Sequence, residues 1–233
     1  MILLAFETSA KAASVALFDS ENLLGEQYQN TGLTHSQTLM VMAEDLLRQC
    51  GKAPSDVEAV AVANGPGSFT GVRIGAAAAK GFAWGREIPL YGVSTLEAMA
   101  LGLGVHQGYV CPVMDARRSQ VYNALFYVNQ RSVQRITPDR AIALDDLKNE
   151  LKNCKESVFL VGDGSNLCYN SLLEEASNLV LPPEHKLHQR AVGVGLAALA
   201  MIHRNESTDA AAITPNYLRL SQAEREKLAR EQK

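Results

Sequence analysis

Apolar residues fill "ILLAFETS" at the start of the chain, and "SVALFD" and "NLLGEQYQ" follow after short polar connections. The pattern predicts three consecutive strands in an antiparallel meander. From about Thr34 to Cys50 the period changes. Leu39, Met40, Ala43, Leu46, Leu47 and Cys50 recur at helical spacing, with Thr34 as the candidate N-cap, and Gly51 and Pro54 end the run. "VEAVAVAN" reads as a short buried strand, and "NGPGSFTGVRIGAAAAKG", Asn64 to Gly81, leads into a second helix from about Thr70 to Gly85. "IPLYGVS" is strand-like and "TLEAMALGL" starts a third helix, so the first hundred or so residues read βββαβαβα.

The pattern loosens at "GLGVHQG", which places a boundary near Gly104–Gly108. Strands resume with "YVCPVMD", "QVYNALFYV" and "SVQRI", followed by a helix near Leu144–Asn153, the strand "SVFLVG" and the loop "GDGSN". A long helix over about Gln189–Arg204 precedes the charged tail "SQAEREKLAREQK", which reads as a solvated helix. No sequence repeat is visible, yet two similar α/β halves fit the order of elements. The domains expected are a first lobe over 1–105, a second over 106–188, and a returning helix with a tail over 189–233.

Composition changes this picture little. The 233 residues, 47% hydrophobic and 20% charged, are those of an ordinary globular protein. A formal charge of -3 gives no overall pull toward nucleic acid, so any RNA contact requires a local patch or a basic partner. The opening "MILLAFETSAKAA" has no basic n-region and reaches Glu7 early, so neither a signal peptide nor a membrane span is expected. The cysteines, Cys50, Cys111, Cys154 and Cys168, lack a Cys-x-x-Cys pair and read as reduced thiols of a cytoplasmic protein.

The glycine motif admits two readings. A strand, a Gly-rich turn and a helix start together make an anion site, because unpaired N–H groups point outward there. The Gly-Lys-Ser/Thr ending of a P-loop is missing, however, and so is a dinucleotide fingerprint. The other reading is close packing. Gly71, Gly75, Gly81 and the alanines among them leave the helix with little bulk, and each interior glycine costs ~1 kcal/mol relative to alanine. Close approach by the Thr34–Cys50 helix, or by a partner, would offset that cost.

"ETSAKAASVAL", "THSQ", "GPGSFTGVRIG", "GVSTLEAMA", "MDARRSQVYNALF" and "PNYLR" together resemble the TsaB (YeaZ) family, over nearly the whole chain. These are bacterial actin-like proteins of the tRNA threonylcarbamoyladenosine pathway, in the glycoprotease superfamily. The resemblance implies an α/β fold of two actin-like, ribonuclease H-type lobes, the second abbreviated. It implies a heterodimer with the larger paralog TsaD, which with the ATPase TsaE moves a threonylcarbamoyl group from threonylcarbamoyl-AMP to the adenosine beside the anticodon. Homodimers are expected when the chain is alone.

Departures from the paralog decide the expected role. TsaD carries a His-x-x-x-His metal pair, and the matching run here, "VSTLEAM", has Thr95 and Met99 in those positions. Neither is a normal ligand for a catalytic metal. Where TsaD has a Ser-Gly-Gly-His loop, this chain has "MDARRSQ", with bulky Arg117 and Arg118. No catalytic residue and no metal site is assigned; ATP or ADP and metal are expected only in the partner complex.

Glu7 stands where actin-like ATPases place an Asp, and the turn "TSAKAA" has no glycine. Glu7, Thr8, Gly162 and Gly164 are therefore candidate contacts of a degenerate nucleotide or anion site, Gly162 and Gly164 equally candidates for a tight turn.

The partner interface is expected on the two helices, at His35, Leu39, Met40, Ala43, Leu46, Leu47, Phe69, Gly71, Val72, Gly75, Ala76 and Ala79. Gly75→Leu or Ala76→Glu should then abolish pairing and leave the monomer folded. The turn of Asp115, Arg117 and Arg118 is either an exposed ion-pair cluster or a recognition surface for the assembly or its RNA. Glu184, His185 and His188 match no zinc spacing and read as a solvated loop. Two rival functions, an actin-fold ATP-dependent kinase and a metallopeptidase, would need ATP turnover or chelator-sensitive cleavage by the isolated chain.

Overall fold

The opening apolar runs form β1 (Ile2–Glu7), β2 (Ala13–Asp19) and β3 (Asn22–Gln29), paired antiparallel as expected. The structure is a computed structural model that describes residues 1–105, 107–130, 132–173, 177–206, 210 and 213–219. After the meander come α1 (His35–Gln49), β4 (Ala59–Ala63), α2 (Phe69–Trp84), β5 (Leu90–Val93) and α3 (Thr95–Gly102). β4 and β5 add in parallel on the far side of β1, giving a first sheet in the order β3-β2-β1-β4-β5.

β1 is buried on both faces, which is why it is apolar throughout. Successive side chains still point to opposite faces. Leu4 and Phe6 pack toward α1 and α2, while Leu3 and Ala5 pack on the other side of the sheet. The second side is covered by α3 and by α6 (Ala191–His203), through Ala98, Ala191, Val194 and Ala198. The segment predicted as a returning helix thus packs on the first lobe.

Between α3 and α6 the second lobe carries β6 (Gln107–Arg117), β7 (Gln120–Asn123), β8 (Phe126–Asn129), β9 (Ser132–Arg135) and β10 (Arg140–Ala143). It continues with α4 (Leu144–Leu151), β11 (Val158–Val161), α5 (Ser165–Leu172) and β12 (Leu179–Val180). Its main path, β10-β7-β6-β11-β12, repeats the first sheet: two antiparallel pairings, then two parallel ones. The halves are alike in topology where they are unlike in sequence.

The segment "QVYNALFYV", expected as one strand, is two. β6 is long enough to pair β8 along its first half and β7 along its second, so the partner strand must break between them. The buried Asn123 amide holds the break by donating to the Pro112 and Ala124 carbonyls. The helix α5 begins inside the expected loop "GDGSN", and the short strands β10 and β12 have no counterpart in the sequence reading. All four cysteines are free. Among the described residues no helix is long and apolar enough to cross a membrane. The expected helix at "SQAEREKLAREQK" lies outside the described residues.

Candidate functional site

The lobes face each other across a cavity of about 760 Å³. Its walls are the β1–β2 turn with Ser9 and Lys11, the start of α2, the β6–β7 turn with Asp115, Arg117 and Arg118, and Asp163. Tyr217 and Arg219 line it as well. The two rings at the α2 end, Phe69 and Tyr217, stack with centroids 4.8 Å apart, and the Arg73 guanidinium lies 3.7 Å over the Phe69 ring. Arg73 Nε donates to the Tyr217 hydroxyl at 2.7 Å. Arg219 Nη1 donates to the Ala116 carbonyl at 2.6 Å, so the segment around Tyr217 ties the first lobe to the second.

Glu7 and Thr8 sit beneath this cavity, both buried. Glu7 Oε1 accepts from the Ser9 N–H at 2.5 Å, and Oε2 has no partner among the described residues. Burial raises the Glu7 pKa to about 7, against the stabilising Ser9 contacts and with a smaller push from Asp163. Thr8 Oγ1 donates to the Gly71 carbonyl at 2.8 Å. Gly162, with φ +113°, and Gly164 are close-approach positions. A Cβ on Gly162 would stand 2.2 Å from the Val113 carbonyl oxygen, and one on Gly164 3.0 Å from the Asp115 nitrogen. Their geometry is that of a tight turn laid against β6.

Asp115, Arg117 and Arg118 do not form an ion-pair cluster. The Asp115 carboxylate instead accepts from the Arg117 backbone N–H at 2.6 Å and closes the turn. Arg117, Arg118 and Ser119 all have positive φ, and both arginines are exposed at the cavity rim.

The glycine motif works mainly inside the chain. A Cβ on Gly71 would lie 2.1 Å from the Thr8 carbonyl oxygen, and one on Gly75 2.4 Å from Thr8 Oγ1. These glycines let α2 lie against the end of β1. The helix α2 is capped by Ser68, whose hydroxyl accepts from the Gly71 N–H.

Most residues of the expected interface face inward. Leu39, Ala43, Leu46, Leu47, Gly71, Val72, Gly75, Ala76 and Ala79 are buried in the chain itself. A side chain added at Gly75 would meet Thr8 and Val62 inside the chain. The apolar spacing identified the core-facing stripe, whereas the outward residues of α1 include Met40 and Val41, 43% and 58% exposed. On α2 the outward line is Arg73, Ala77, Gly81 and Trp84. Between the helices runs a groove of about 450 Å³ lined by Met40, Val41, Leu47 and Phe82. Phe69 belongs to the cleft instead. His35 Nε2 donates to the Ala10 carbonyl at 2.8 Å and anchors the start of α1, where Thr34 makes no side-chain cap bond.

Thr95 and Met99 are buried on α3, and Met99 packs beside the Gly162 turn. No cluster of three or more metal-ligating side chains occurs among the described residues, and Glu184 and His185 are exposed. Sequence reasoning missed Ser9, Asp163, Tyr217 and Arg219 as cleft residues. "PNYLR" was conspicuous, but nothing local in it says that it crosses to the second lobe.

A family model described as "TsaD: tRNA N6-adenosine threonylcarbamoyltransferase" matches residues 29–227. The tRNA threonylcarbamoyladenosine biosynthesis protein TsaB of Bacillus subtilis strain 168 is 31% identical over 229 residues, 96% of each chain. The protein of the same name from Escherichia coli strain K12 is 35% identical over 152 residues, 64% of this chain and 65% of its own. Among solved structures, YeaZ from Pseudomonas aeruginosa is similar with a TM-score of 0.77 and 27% identity, over 93% of this chain and 99% of that one. The chain therefore belongs to the family that this model describes and, within it, to the actin-like TsaB proteins of tRNA threonylcarbamoyladenosine biosynthesis.

Proposed function

We propose that this chain is the non-catalytic partner of TsaD in the transfer of a threonylcarbamoyl group to tRNA, pairing with it through the outer faces of α1 and α2. Gly81 carries the reading. It sits inside α2 at a cost of up to about 1 kcal/mol relative to alanine. Unlike Gly71 and Gly75, it has no neighbour within 4 Å of an added Cβ. No contact within the described residues offsets that cost. A helix of another chain laid along Ala77, Gly81 and Trp84, with Met40 and Val41 at its flank, would.

Two further observations support a partner role over independent chemistry. Core residues, Thr95 and Met99, stand where the paralog has its metal pair. Thr8, in the turn where an actin-like ATPase wraps phosphates, has its hydroxyl engaged with Gly71. We assign ATP or ADP and metal to the partner complex, where the chain holds TsaD in its active shape and helps recruit TsaE. Without TsaD the same helical face supports a homodimer.

Light scattering after size exclusion tests the pairing, with the chain and TsaD from the same organism run separately and mixed. The wild type gives a heterodimer, and Gly81→Leu and Val41→Glu, both at outward positions, remain folded but do not pair. Transferase activity appears only when TsaD, TsaE and this chain are combined. Undiminished pairing by both variants would place the interface elsewhere.

A further inference from the structure

The pairing leaves the charged β6–β7 turn unused. Four cations line the inter-lobe cavity, Lys11, Arg117, Arg118 and Arg219, against two carboxylates, Asp115 and Asp163. Neither carboxylate forms an ion pair with one of these cations among the described residues. Asp115 is taken up by the Arg117 backbone N–H, and Asp163 accepts from Gln189 Nε2 at 3.1 Å. The side chains of Lys11, Arg117 and Arg118 are exposed and have no ion-pair partner among the described residues. In a chain of net charge -3, this local excess is not a reflection of composition.

An aromatic step separates the patch from an ordinary solvated surface. Tyr217, 40% exposed, stacks on Phe69 at the same cavity, a platform on which a further flat ring can lie. Cations without an ion-pair partner and an exposed aromatic step along one cavity fit a ligand made of phosphates and planar bases.

We propose that the mouth of this cleft contacts single-stranded RNA. Lys11, Arg117 and Arg118 take backbone phosphates, and Tyr217 stacks an unpaired base. The choice of RNA as the polymer rests on the proposed place in tRNA modification. An acidic protein segment would use the cations but leave the aromatic step without a counterpart.

The test is fluorescence anisotropy with a labelled tRNA anticodon stem-loop, using the chain alone and the chain paired with TsaD, over a range of salt. Light scattering on the same samples reports pairing separately. Arg117→Gln/Arg118→Gln should weaken binding about tenfold at low salt and reduce the salt slope by about 1.4, roughly 0.7 for each lost phosphate contact to a single strand. Tyr217→Leu should weaken it about tenfold with the slope unchanged, because stacking releases no counterions.

Equal affinity and slope in the arginine variant, with pairing intact, would overturn the proposal and leave the partner reading standing. Failure of the wild type to pair sinks the partner reading instead, and the isolated chain then decides the RNA contact by the same two signatures. No RNA binding by either form overturns it. So does loss of TsaD pairing in the arginine variant, which would make the turn a protein contact.

Discussion

Glu7 shows how far one residue's chemistry departs from its type. A carboxyl with an ordinary pKa of 4.5 is held at about 7 because burial outweighs its hydrogen bonds to Ser9 and Thr8. The folded chain therefore binds this proton more tightly than the unfolded chain does. The contribution to stability is fully present below pH 4.5 and is lost as pH rises to about 7. The shift corresponds to roughly 3 kcal/mol.

Glu7→Gln keeps the shape and the acceptor for the Ser9 N–H but cannot ionise. Its stability from urea unfolding should lose less than the wild type's between pH 4 and pH 8, and at pH 8 it should exceed the wild type's by up to about 3 kcal/mol. Parallel pH curves would mean that Glu7 does not titrate in that window. The position of Glu7 was legible in the sequence, but its state was not. That state depends on burial and on Asp163, far along the chain. The same is true of Thr8, whose hydroxyl partner lies 63 residues away.

At the scale of the element, helical spacing located α1 and α2 within a residue or two at each end. What it could not show is which apolar face a folded chain keeps for itself. Leu39, Ala43, Leu46 and Leu47 form a regular stripe because they seat α1 on the first sheet, and an interface beside such a stripe has the same composition.

Glycine separates the two uses. Gly75→Leu drives a side chain into Thr8 and Val62 and should destabilise the monomer by about 3 kcal/mol or more. Gly81→Leu projects into open space, adds a better helix former, and should leave the melting temperature unchanged or raised while pairing is lost. Thermal unfolding and light scattering on both variants check this. Unfolding of Gly81→Leu would show that the helix face is already covered within the chain.

At the scale of the whole molecule, the two lobes have the same strand order although no sequence repeat announces it, because topology constrains connections more than residue identities. The α/β class followed from the alternation of strands and helices. The long β6 serving two partner strands did not, since pairing partners are a property of the sheet. The segment from Ile213 to Arg219 is the further feature that only the assembled fold reveals. Ile213 enters the first core, Asn216 N–H donates to the Asn64 carbonyl at 2.7 Å, and Tyr217 stacks on Phe69. Arg219 then reaches the carbonyl of Ala116 in the second lobe.

A strap anchored at both ends should limit how far the lobes move apart and should hold the β6–β7 turn in place. Arg219→Ala removes the second anchor alone, at a cost of about 1 to 3 kcal/mol for a charged hydrogen bond. Amide hydrogen exchange at 116–119 should then quicken, while exchange in β1 and β4 stays as in the wild type. Unchanged protection at the turn would mean that it is ordered by the Asp115 contact alone. The lobes would then be linked through α3 and α6 and not by the strap.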